Sequence, residues 1–111
     1  MKVWNKTRNT TLAKQLIIPQ KLLDQSFGLL KYKTPVAMLL QTHFGIHTFG
    51  MHYPIDVLIL NKNKQIVAVG ENIKPNRIFL WNPQYETVLE LPPGTIERTK
   101  TKNRDKLLLI N

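Results

Sequence analysis

The chain alternates short apolar runs with short polar ones, and within most runs the apolar positions recur at the spacing of a strand rather than a helix. "KVW" at 2–4 and "TTLAKQLI" at 10–17 flank the polar "NKTRN", the pattern of an opening hairpin in which Leu12 and Leu16 share a face. "VAMLL" and "GIHTF" read as short strands. "IDVLIL" and "QIVAVG" flank "NKNK", a hairpin loop whose asparagines tolerate left-handed backbone. "ETVLEL" is stopped by Pro92, Pro93 and Gly94, and a helical turn near "GTIER" and a last strand, "KLLLI", follow. One stretch breaks the rule: "PQKLLDQSFGLL" places Leu23, Phe27 and Leu30 on one stripe of a short helix, weakened by Gly28 and without a good N-cap residue. The expected fold is mainly β, a small barrel or sandwich of seven to eight short strands, with one α-helix in the N-terminal half and residues 1–111 as a single domain.

Charge sharpens this picture. The net charge is +9, but residues 1–33 hold seven Lys/Arg against Asp24, and "RTKTKNRDK" holds five against Asp105. Residues 34–61 carry Asp56 as their only charge. A basic surface attracts phosphate backbones, so nucleic acid is a candidate partner through the terminal segments, with Lys100, Lys102 and Arg104 as the residues to test. The alternative is a solvated Lys/Asn-rich surface. There is no cysteine, which removes disulfides, thiolate metal sites and cysteine nucleophiles together. No apolar run approaches the roughly 20 residues of a membrane span, so the expectation is a soluble, cytoplasmic protein with no membrane partner.

The stretch "HTFGMHYPIDVLIL" gathers the residue types that do chemistry. In an extended segment His43, His47 and Met51 share one face and His52 takes the other, and His43 and His47 stand about 13 Å apart. No metal site is expected from them unless a bulge at Gly50 re-aims one ring. Pro54 lacks an amide hydrogen and reads as a strand start. Asp56, inside an aliphatic run, has to be satisfied, because an unpaired buried carboxylate is very costly. As a structural group it accepts backbone N–H bonds or pairs with a cation. As a functional group it joins His47 or His52 and Glu71 at a cleft and serves as a general base. Ser26, the only serine, lacks a nucleophile-elbow context, and no phosphate-cradling glycine loop is present. In "KPNRIFLW", Phe79 and Trp81 between Lys74 and Arg77 are either a stacking platform or a cover over the core.

"IHTFGMHYPIDVLIL", "VGENIKP" and "TVLELPPGTIER", in that order, together with the preceding "FGLL", resemble the bacterial and archaeal domain-of-unknown-function family 192 over about residues 10–109. The resemblance implies a small, mainly β domain and brings no activity or cofactor with it. Two departures stand out. Gly50 replaces a bulky aromatic before the methionine, and Lys100 and Arg104 stand near positions where the family commonly has glycine, a demand for positive φ that lysine and arginine meet uncommonly.

These readings converge on binding rather than catalysis, with no catalytic residue, cofactor or metal assigned. The expected ligand-facing surface, for an unidentified small molecule or protein, is a rim of His47, Met51, His52, Tyr53, Asp56, Glu71, Lys74 and Arg77, where 47–53 meets 71–77. The alternatives are a nucleic-acid-binding module using the basic terminal segments, and a small hydrolase or lyase using Asp56 and a histidine.

Overall fold

The computed structural model describes residues 1–19 and 33–111. The helix expected to carry Leu23, Phe27 and Leu30, and with it Ser26, lies outside the described residues. Among the described residues there are nine strands and one short helix: β1 (Lys2–Asn5), β2 (Thr10–Ala13), β3 (Met38–Gln41), β4 (Ile46–His47), β5 (Ile55–Leu60), β6 (Ile66–Ile73), β7 (Ile78–Phe79), β8 (Thr87–Leu91), α1 (Thr95–Thr99) and β9 (Leu107–Ile110). The fold is mainly β, as the alternation predicts, but its sheets are layered rather than closed into a barrel.

A four-stranded antiparallel sheet in the order β3-β8-β5-β6 forms the middle layer. All six residues of β5 are buried, which explains why its sequence is a continuous aliphatic run and not an alternating one. Its two faces feed two cores. Leu58 and Leu60, with Leu89, Leu91 and Ile66, pack against Val3, Leu12, Leu107 and Ile96. These residues carry the three-stranded sheet β2-β1-β9 and the helix over that face. Ile55, Val57 and Ile59, with Met38, Leu40 and Val88, receive Ile46, Met51, Tyr53, Phe79, Trp81 and Tyr85 on the other face. That side is covered by the ribbon β4-β7.

Two local features differ from the sequence expectation. Ile55 pairs with Ile73 and Val57 with Gly70, so two residues of β6, Glu71 and Asn72, oppose the single Asp56. This is a β-bulge, and Asn72 takes the left-handed conformation it needs (φ 52°). In the 61–64 loop the left-handed residue is Lys64 (φ 61°), not an asparagine. Asn61 contributes its side chain instead, with Oδ1 accepting the N–H groups of Asn63 and Gln65.

Candidate functional site

The rim residues divide between the two faces of β5. On the ribbon side, Thr48 joins the two segments that the sequence places together. Its buried Oγ1 donates to the Lys74 carbonyl (2.7 Å) and accepts the Arg77 N–H (2.9 Å), and its own N–H donates to the Arg77 carbonyl (2.9 Å). Around it His47, His52, Lys74 and Arg77 are exposed, while Met51 and Tyr53 are half-buried on the core. The His47 ring stacks on Phe49, with centroids 5.3 Å apart. Tyr53 donates to the Thr34 carbonyl (3.4 Å); burial, with the Glu90 carboxylate nearby, pushes its phenol above the usual tyrosine value. His43 is held elsewhere, with Nδ1 2.6 Å from the Pro83 carbonyl and Nε2 2.9 Å from the Glu86 carboxylate. Among the described residues no three His, Asp or Glu side chains come together to hold a metal ion. Phe79 and Trp81 pack on each other over the core, and the Trp81 indole N–H donates to the Tyr85 carbonyl (2.8 Å).

Asp56 and Glu71 belong to the other side. Asp56 shares its strand face with Leu58 and Leu60, away from the layer that holds the histidines. It is fully buried, and both carboxylate oxygens are used: Oδ1 accepts the Asn72 N–H (2.8 Å) and Oδ2 accepts the Ile96 N–H (2.9 Å). "PID", "VGENIKP" and "GTIER" therefore converge on one carboxylate, which clasps the β6 bulge and the helix to β5. The bulge turns Glu71 outward, where it lines two adjoining clefts together with Glu97 of the helix.

The larger surprise is where the cations go. β1 pairs with β2 on one side and β9 on the other, so the two basic ends of the chain meet in one sheet. The Lys6 N–H donates to the Lys106 carbonyl (2.9 Å). The 61–65 loop joins them, since the Leu107 N–H donates to the Lys64 carbonyl (2.9 Å) and the Arg104 N–H to the Ile66 carbonyl (2.8 Å). Lys6, Arg8, Lys62, Lys64, Lys100, Lys102, Arg104 and Lys106 thus sit on three loops at one end of the molecule, with Asp105 as the only acid in those loops. Asp105 is itself buried inward: its Oδ2 accepts from Asn5 Nδ2 (3.0 Å), Arg8 Nε (3.0 Å) and the Lys102 N–H (2.9 Å). Burial alone pushes its carboxyl up, but these bonds and the Arg8 charge outweigh it and hold the carboxyl below the usual aspartate value. Arg98, by contrast, is spent on structure, donating to the Thr11 and Leu12 carbonyls (3.1 Å each). Sequence reading missed Lys62 and Lys64 because "NKNK" was informative only as a loop; its charge gains meaning from the strand pairing around it.

The molecule is thus a layered β domain with a buried carboxylate clasp and a basic loop end. The chain belongs to domain-of-unknown-function family 192, described as an uncharacterized ACR, which matches residues 4–109. Similar solved structures include a "putative transcription regulator" from Sinorhizobium meliloti 1021, at 18% identity and TM-score 0.71, covering 96% of this chain and 89% of that one. A second is a protein of unknown function from Novosphingobium aromaticivorans DSM 12444, at 16% identity and TM-score 0.75, covering 97% and 82%. Both share the fold. Among curated proteins no match is found.

Proposed function

We propose that the chain binds nucleic acid through the loop end where its basic segments meet. The observation that carries this reading is that three loops bearing eight cations, Lys6 and Arg8, Lys62 and Lys64, and Lys100, Lys102, Arg104 and Lys106, adjoin at one end, with the buried Asp105 as the only acid among their own residues. A solvated surface disperses like charges, whereas a phosphate backbone repays their concentration by releasing counterions. Backbone strain points the same way. Lys100 (φ 57°) and Arg104 (φ 78°) place long cationic side chains at left-handed positions that glycine would occupy without strain, and strain of this kind gathers at functional sites. The solved relative named for transcription regulation is compatible with such a partner, but at 18% identity that likeness carries the fold alone.

The test is binding of an unspecific oligonucleotide as a function of salt. The expected result is a log-log slope of about −0.7 to −0.9 per phosphate contacted. Replacing Lys100, Lys102 and Arg104 with Gln should flatten it by about two to three units, and replacing Lys62 and Lys64 by a further one to two. The second pair is the sharper probe, because only the folded arrangement connects it to the terminal segments. No binding at low salt removes the proposal.

A further inference from the structure

The basic end does not stop at a flat face. Arg8, Lys100 and Lys102 line a cleft of about 550 Å³ whose other contributors include Glu71 and Glu97. An adjoining cleft of about 610 Å³ shares both glutamates and adds Asn72 and Gly94, with no cation in its lining. The two together have a polarity, cationic at the end toward the basic loops and acidic at the end toward the bulge. Among the described residues neither Glu71 nor Glu97 forms an ion pair, and no ion pair joins them to the lysines of the same cleft. Arg8 is paired with Asp105, which leaves Lys100 and Lys102 as the cations of the cleft open to a ligand. Each cleft lies within the size range of small-molecule sites, about 300–1,000 Å³.

A ligand that fits this polarity carries an anion at one end and paired hydrogen-bond donors at the other. A carboxylate is acceptor-only, with two oxygens that take two parallel donors. Guanine offers such a pair, N1–H and the N2 amine, on its Watson–Crick edge, and a nucleotide supplies the phosphate. The geometry points to the cleft as a guanine-nucleotide pocket at the margin of the basic face: Lys100 and Lys102 take the phosphate, and Glu97 or Glu71 reads the base edge. This rests on the nucleic-acid reading, and it adds a base contact to what would otherwise be backbone recognition alone.

Calorimetric titration of the full chain with 5′-GMP, 5′-IMP and inorganic phosphate tests it, with the salt-dependent oligonucleotide assay run in parallel. GMP should bind, IMP, which lacks the N2 amine, should bind about tenfold more weakly, and phosphate should be weaker still. Glu97→Gln or Glu71→Gln should abolish the preference for GMP over IMP without weakening phosphate; both side chains are exposed, so the fold is spared. Lys102→Gln should weaken all three. Equal binding of GMP and IMP, phosphate binding as tight as GMP, or a GMP preference that survives both glutamate variants overturns the pocket. Oligonucleotide binding without any GMP binding overturns the pocket and leaves the basic face standing, while loss of both removes the two together.

Discussion

Asp56 shows how far one residue can be read. Its role as a buried acceptor was legible, because a carboxylate inside "PIDVLIL" has to meet donors or be ruinously unstable. Its donors were not. They come from Asn72 and Ile96, 16 and 40 positions away, and one depends on a bulge that leaves no mark in the pattern of apolar residues. Both donors are backbone N–H groups; Asp56→Ala strands the buried Ile96 N–H, while the Asn72 N–H lies near the surface and can turn to water, so stability should fall by about 1–3 kcal/mol. Asp56→Asn keeps one acceptor but turns its amide donor toward the other N–H, so it should recover only part of that loss. Denaturant unfolding of the three proteins near neutral pH checks this. A wild-type midpoint in the alanine variant would show that the clasp does not hold the fold.

At the scale of elements, most strands were legible because alternation and turn residues agree. β7 was not: two residues cannot establish a period, and "KPNRIFLW" reads equally as a loop. Its pairing becomes visible only through Thr48, whose hydroxyl and backbone draw the 74–77 loop onto β4. The end of α1 is a case where chain pattern and backbone conflict. The Lys100 N–H donates to the Glu97 carbonyl and the Thr101 N–H to the Ile96 carbonyl, a left-handed helix stop that suits glycine better than lysine. Arg104 repeats the conflict in the next turn. Lys100→Gly and Arg104→Gly should therefore each raise stability, by up to about 1 kcal/mol. If these cations touch phosphate, the same variants should bind an oligonucleotide more weakly and lower the salt slope by about one unit each. Greater stability with unchanged binding would mean that the strained cations serve another purpose.

The whole molecule brings together what the chain keeps apart. The hairpin tip at 5–9, the 61–65 loop and the 100–106 turn are distant in sequence, and their cations repel one another where they meet. Asp105 is the charged group that ties the hairpin tip to the turn, beside the Lys6–Lys106 backbone bond and the Lys106 N–H bond to the Thr7 hydroxyl. Its carboxylate gathers Asn5, Arg8 and the Lys102 N–H, while its backbone N–H and carbonyl engage Lys102 and Ile66. Because its folded carboxyl titrates below the ordinary aspartate value, the stabilisation from its charge is fully present above the unfolded pKa of about 3.9. It is lost as pH falls through the folded value. Protonation removes the negative charge from the centre of the basic cluster and weakens the bond to Arg8, leaving repulsion among the surrounding cations unopposed. Asp105→Asn keeps the shape but not the charge, so it should be less stable than wild type by about 2–3 kcal/mol near neutral pH. That gap should close as pH falls through the folded value, where wild type also loses the charge. Urea unfolding of the two proteins across the acid range measures the gap directly. A difference that stays constant from neutral to acid pH would show that the hydrogen-bond geometry, and not the carboxylate's charge, holds the basic end together.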